Sequence, residues 1–170
     1  MIGKKVEKAF NDQINAELYS AYLYLSMAAW FESQNLPGCA NWMRVQCLEE
    51  MTHAQKFFNQ IIERSGRVLL KPIAGPETEW KSPLDAFAAA LKHERKVTAL
   101  IAKLVEIGAA EGDHAAGVFL QWFVTEQVEE EKNAETISAL LQQAGDSKGA
   151  LFMLDRELGG RKFQGADGGD

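Results

Sequence analysis

Six side chains able to hold a metal recur at regular intervals along this chain of 170 residues: Glu17, Glu50, His53, Glu94, Gln127 and Glu130. Glu17 and Glu50 are 33 residues apart, as are Glu94 and Gln127. His53 follows Glu50 by three, and Glu130 follows Gln127 by three, so the first set maps onto the second at an offset of 77 residues. Residues three apart share a helix face, which lets Glu50 and His53 grip one ion while Glu50 bridges to another. Four carboxylates gathered in an apolar interior would each cost on the order of several kcal/mol if left unpaired. Two divalent cations would cancel that charge, with His53 and Gln127 as neutral ligands. An oxygen-rich set with a single imidazole suits iron or manganese better than a thiolate-rich zinc site.

Helices must position these groups. Apolar residues at alternating steps of three and four form four seams. The first is Phe10, Ile14, Glu17, Ala21, Tyr24, Ala28, Phe31, and the second is Ala40, Met43, Cys47, Glu50, Ala54, Phe57, Ile61. The third is Leu84, Phe87, Leu91, Glu94, Thr98, Ile101, Val105, and the fourth is Leu120, Phe123, Gln127, Glu130, Ala134, Ile137, Leu141. Each seam is interrupted near its middle by polar groups standing where a core residue belongs. The competing interpretation, glutamates on the surface and seams one residue out of phase, needs that coincidence in all four seams.

The first helix is expected from about Lys5 to Ser33, stopped by Leu36-Pro37-Gly38. The second runs from about Cys39 to Ser65 and ends at Gly66. Ser82 as N-cap and Pro83 at the first helical position open the third, which reaches Gly112. The fourth spans about Asp113 to Ala144, before Gly145. A short fifth covers about Ser147 to Leu158, closed by Gly159-Gly160. The glycine-rich, acidic stretch 161–170 is expected to be a disordered tail after one domain over 1–160. Short first–second and third–fourth connections predict antiparallel hairpins. The stretch between Gly66 and Ser82 could span ~50 Å when extended, longer than a ~42 Å helix. It therefore predicts an end-to-end crossover that leaves helices two and three parallel. The fold class expected is all-α, an antiparallel four-helix bundle.

Composition narrows the function classes. A net charge of −6, a pI near 5.2 and no Lys/Arg cluster argue against nucleic acid and favour cations as partners. No apolar run reaches the ~18 residues that a bilayer span needs. The N-terminus shows no apolar signal core, and Cys39 and Cys47 are too few for a disulfide scaffold. These features give the expectation of a cytoplasmic protein with reduced thiols.

At Glu17, Glu49-Glu50-Met51-Thr52-His53, Glu94 and Glu126-Gln127-Val128-Glu129-Glu130 the chain resembles the bacterial non-haem ferritins. The likeness extends from Asn11-Asp12-Gln13-Ile14-Asn15-Ala16-Glu17-Leu18-Tyr19-Ser20 to Leu154-Asp155-Arg156-Glu157-Leu158. Glutamates and E-x-x-H motifs projecting into a bundle core are the established pattern of ferritin-like di-iron proteins, known independently of this chain. The resemblance implies a ferroxidase centre whose first iron uses Glu17, Glu50 and His53. Its second iron would use Glu50, Glu94 and Glu130, with Gln127 close by. A third iron site would map to Glu49, Glu126, Glu129 and Glu130, although a solvated charge run is an equal alternative for Glu129 and the favoured one for Glu131. Tyr24 becomes a hydrogen-bonding or electron-donating neighbour of the di-iron pair, and Trp122 either a neighbour or a core aromatic. Cys39, Cys47, His93 and His114 take no role beyond structure or surface. The bacterioferritin branch carries E-x-x-H on both hairpins, whereas here the second motif is Gln127-x-x-Glu130. That departure weighs against haem, even though Met51 stands where bacterioferritins place a haem-ligating methionine.

The function implied is iron storage. Iron(II) binds as a pair, is oxidised by dioxygen or hydrogen peroxide, and the iron(III) product mineralises inside a hollow homo-oligomer of 24 subunits. The apolar fifth helix, with Leu151, Phe152, Leu154 and Leu158, would pack at a subunit axis. Two other classes stay open: a di-iron enzyme consuming peroxide with little storage, as in rubrerythrins (whose CxxC module is absent here), and a metal-free scaffold.

Overall fold

A computed structural model of the chain describes residues 1–165. Five helices account for its regular structure: α1 (Lys4–Ser33), α2 (Pro37–Glu63), α3 (Pro83–Ala110), α4 (His114–Ala144) and α5 (Lys148–Leu158). Boundaries fall within two residues of those expected from sequence, and the four long helices form the bundle.

Local chemistry sets the helix ends. Ser82 Oγ accepts from the Asp85 amide at 3.1 Å, opening α3. Asp113 caps α4 by accepting from Ala116 N at 3.0 Å, and both its carboxylate oxygens accept from Arg64 Nη2, at 2.8 and 2.7 Å. Three helix C-termini share one device. In α1, α2 and α3 the residue after the cap turns left-handed, at Asn35 (φ 57°), Ser65 (φ 58°) and Gly112 (φ 63°). The next amide then reaches back five residues, Leu36 to Phe31 O, Gly66 to Ile61 O and Asp113 to Gly108 O.

One expectation is corrected here. Pro37-Gly38 does not lie outside α2 as a breaker. Pro37 occupies its first turn, where a missing N–H costs nothing. Gly66 follows the end of α2 as expected, while the left-handed conformation belongs to Ser65. Gly66 answers to space: a Cβ there would lie 2.7 Å from Ile2 and 2.8 Å from Ile61.

Residues 64–82 run along α1 from end to end. Asn11 donates to Arg67 O at 3.0 Å and accepts from Leu69 N at 2.6 Å; Asn15 holds Pro72 O at 3.1 Å, and Ser26 holds Glu77 O at 2.6 Å. Trp80 closes the strap edge-on against Trp30, centroids 5.8 Å apart. The crossover expected from loop length is present, and α2 and α3 are parallel.

The core is two cores. One cluster contains Met27, Phe31, Met43, Phe87 and Leu141; the other contains Phe10, Phe57, Ile101, Leu120 and Phe123. All six predicted ligands lie in the interval between them. The first and fourth seams are buried throughout, and in the second only Cys47 is partly open. The third is corrected at alternate positions: Ala90, Val97 and Leu104 are buried, where Leu91, Thr98 and Val105 were expected, and Leu84 is exposed. Both registers satisfy steps of three and four around Phe87, Glu94 and Ile101, and the rotation of α3 against α1 and α4 selects the first.

Helix α5 folds back on α2 and α4, burying Leu154, Asp155 and Leu158 while leaving Phe152 exposed. Asp155 Oδ1 accepts from Cys39 N at 2.8 Å and so caps the start of α2. The approach is so close that a Cβ on Gly38 would sit 1.6 Å from Asp155 O. Gly38→Ala should therefore destabilise the protein by about 1–3 kcal/mol, read as a lowered denaturation midpoint. Ser65→Gly should raise that midpoint by relieving a left-handed non-glycine residue, a strain of about 1 kcal/mol.

Candidate metal centre

The chain cuts its apolar interior with one polar layer, and each bundle helix contributes to it. Glu17 comes from α1, Glu50 and His53 from α2, Glu94 from α3, Gln127 and Glu130 from α4, and all six are buried, none more than 4% exposed. On α2 the three-residue step stacks Glu50 and His53, with Nδ1 3.4 Å from Glu50 Oε2. Across the hairpin, Glu17, Glu50 and His53 bring ligand atoms within 4.8 Å of one another. A second group of the same compactness joins His53, Glu126 and Glu130, with Nε2 3.9 Å from Glu126 Oε1. His53 thus faces carboxylates on both ring nitrogens.

The expected second set is not gathered to that distance. Glu94 is turned toward Tyr24, whose hydroxyl donates to it, and toward Gln127 Nε2 at 3.3 Å. Glu130 is held by Gln46 Nε2 at 2.9 Å. Among the third-site candidates, Glu49 and Glu126 are half-buried and Glu129 is exposed, close enough for its charge to raise both. Trp122 is 40% exposed, which takes it out of the core. It lies edge-on to His53 at 5.4 Å, beneath the Lys56 ammonium at 4.3 Å. Glu131, expected as part of a solvated charge run, bonds Thr98 and pairs with Arg95 at 3.7 Å. Met51 is exposed on α2.

Burial dominates the electrostatics. It pushes the Glu17 carboxyl well up, and the Glu50 charge adds to the effect; Glu50 is pushed well up by burial and then by Glu94 and Glu130. Glu94 is raised by burial despite help from Tyr24 and Gln127, and Glu130 is raised to about 8. Glu17 Oε2 and Glu50 Oε2 are buried without a hydrogen-bond partner among the described residues. Such orphaned acceptors are rare in stable interiors. Convergent carboxyl oxygens beside an imidazole, two of them without a hydrogen bond, fit a hard divalent cation that would displace their protons.

Two buried glutamines were missed by the sequence reasoning. Gln13 Nε2 donates to Glu17 Oε1 at 2.9 Å, and Gln46 does the same for Glu130. A signal existed: each stands four residues before a ligand on its own helix, and the two are 33 apart like Glu17 and Glu50. Arg161, which ion-pairs with Glu49 at 2.6 Å, was placed in a disordered tail. The part of that tail over 166–170 lies outside the described residues. His93, left as structural, bonds Ser20 Oγ at 2.8 Å and is held neutral by burial, its pKa lowered to about 4.

A four-helix bundle with a buried carboxylate–imidazole layer at mid-height defines a class, the ferritin-like metal proteins. Residues 7–144 match the Ferritin-like domain family, and the chain belongs to it. It is 44% identical over 161 residues to a bacterial non-heme ferritin of Bacteroides fragilis, covering 95% of this chain and 100% of that protein. A bacterial non-heme ferritin of Staphylococcus aureus is 37% identical over 163 residues, 96% of this chain and 98% of its own. Among solved structures, an open pore ferritin from the archaeon Archaeoglobus fulgidus superposes with a TM-score of 0.94 at 51% identity, covering 95% and 100% of the two chains. An engineered closed form of that ferritin gives 0.96, covering 96% and 100%.

A carboxyl whose pKa is higher folded than unfolded keeps its proton more tightly in the native state. Its contribution is complete below the unfolded value and is lost as pH climbs through the folded value. Protein stripped of cations should therefore lose thermal stability as pH rises from about 4.5 to about 8, the interval across which Glu130 is shifted. Saturation with a divalent cation should abolish that loss, and calorimetric melts at several pH values check both.

Proposed function

We propose that the chain is the subunit of an iron-storing shell that oxidises iron(II) at the mid-bundle layer and deposits iron(III) in the enclosed cavity. The observation that carries this reading is the pair of orphaned, buried oxygens on Glu17 and Glu50 beside His53. Burial raises the pKa of both carboxyls, so protons stabilise them in the empty layer, and a cation that displaces those protons supplies the coordination they lack.

Iron(II) is the substrate. Glu17, Glu50 and His53 bind the first ion, and Glu50, Glu94 and Glu130 the second, with Glu50 common to both. Carboxyls that are protonated in the empty layer give up those protons as cations bind, so uptake is linked to proton release. Gln13 and Gln46 each hold one oxygen of a ligand, on Glu17 and Glu130, and leave the other free to coordinate. Tyr24, fully buried, fixes Glu94 through its hydroxyl. Each iron(II) surrenders one electron to dioxygen or hydrogen peroxide, and the resulting iron(III) leaves for the mineral. Glu49, Glu126 and Glu129, beside Glu130, supply a third, outer position. Assembly into 24 copies supplies the cavity, with the exposed Phe152 and Met153 of α5 available for contacts between copies. The two free cysteines accord with a cytoplasmic setting.

Glu50→Ala removes the shared ligand. Stopped-flow oxidation of iron(II) should slow at least about a hundredfold, while electron microscopy still shows closed shells. Wild-type kinetics in the variant would end the bridging assignment. Native mass spectrometry that found only small oligomers would end the storage reading instead.

A further inference from the structure

Arg161 stands just beyond α5, and its Nη2 lies 2.6 Å from Glu49 Oε2. The same guanidinium stacks 4.6 Å over the Trp42 ring, and the Arg161 carbonyl accepts from Asn41 Nδ2 at 3.0 Å. Both partners of the pair are only 21% exposed, so the attraction is less screened than at an open surface. The position of Arg161 is inherited from α5, which the Gly38–Asp155 contact fixes against the start of α2. One feature makes the pair one that can open: Arg161 Nη1 is buried without a partner among the described residues, so the fork is only half engaged.

We propose that Arg161 is an intramolecular competitor for the outer cation position, occupying Glu49 when that position is empty and yielding it when a divalent cation binds between Glu49 and Glu126. This rests on the reading of Glu49 as an outer ligand. Arg161 holds Glu49 through Oε2 alone, but a guanidinium and a divalent cation on one carboxylate repel each other, so each weakens the hold of the other. The coupling is reciprocal: cation binding weakens the hold of α2 on the segment after α5, and loosening that segment strengthens cation binding. Glu17 and Glu50 form no Lys or Arg ion pair among the described residues, and Lys56 is engaged with Trp122. The competition is therefore confined to the outer position.

Anaerobic calorimetric titrations with iron(II), repeated with redox-inert zinc(II), test this on the full-length assembled protein. In Arg161→Ala the weakest binding step should tighten about tenfold, with the two tighter steps unchanged. Arg161→Lys, which keeps the charge and loses the fork, should fall between. Hydrogen exchange on wild-type protein should show residues 159–163 losing protection as the weakest step fills. An unchanged or weaker outer step in Arg161→Ala, or protection that holds through saturation, overturns the competitor role. Glu49→Gln separates the two failures. If it deletes the outer step while Arg161→Ala does nothing, Glu49 is a ligand and Arg161 is not its competitor. If the outer step survives in Glu49→Gln, the ligand assignment falls and the proposal with it.

Discussion

Like-signed carboxylates packed into the middle of an apolar bundle are the constraint around which this molecule is arranged. Desolvation penalises each charge, mutual repulsion penalises the set, and the pKa of every member moves upward in response. A protein keeps such a layer only where the surrounding structure can hold it together in the absence of a guest. Here two apolar clusters, one on each side, supply that support. The length of the helices follows: each must bury side chains above and below the layer, which takes 27 to 31 residues.

The two hairpins repeat in spacing but not in environment. On the first, Gln13 and Gln46 place buried amides one turn before Glu17 and Glu50. On the second, the matching positions are Ala90 and Phe123, both in the apolar core. Glu94 is steadied by Tyr24 and Gln127 instead. The imidazole of His53 also has no counterpart, because Glu130 follows Gln127 where a histidine would complete the symmetry. In the function proposed above, two metal positions built from such halves would differ in charge and in donor type, which suits sequential handling of two ions better than two equivalent sites would.

The C-terminal helix connects the layer to the periphery of the subunit. Asp155 caps α2 at Cys39, ten residues before Glu49, and Arg161 reaches Glu49 itself. This C-terminal segment therefore touches both the start of α2 and Glu49, at the edge of the polar layer. Packing, not chemistry, admits it: glycine at position 38 is what lets the backbones meet.

Most of the architecture was readable from the chain. Period, caps and loop lengths gave five helices and a crossover, because those signals depend on residues near each other in sequence. The six residues of the buried polar layer were readable for the same reason, since a polar residue in an apolar seam is conspicuous wherever the helix ends up. Tertiary structure alone decided the rotation of α3, which exchanged Leu91, Thr98 and Val105 for Ala90, Val97 and Leu104 through contacts with distant helices. It also decided the glutamine props and the Arg161–Glu49 pair, joining residues 112 positions apart. Local periodicity fixes which face of a helix is apolar. Only packing against the other helices fixes which atoms that face will touch.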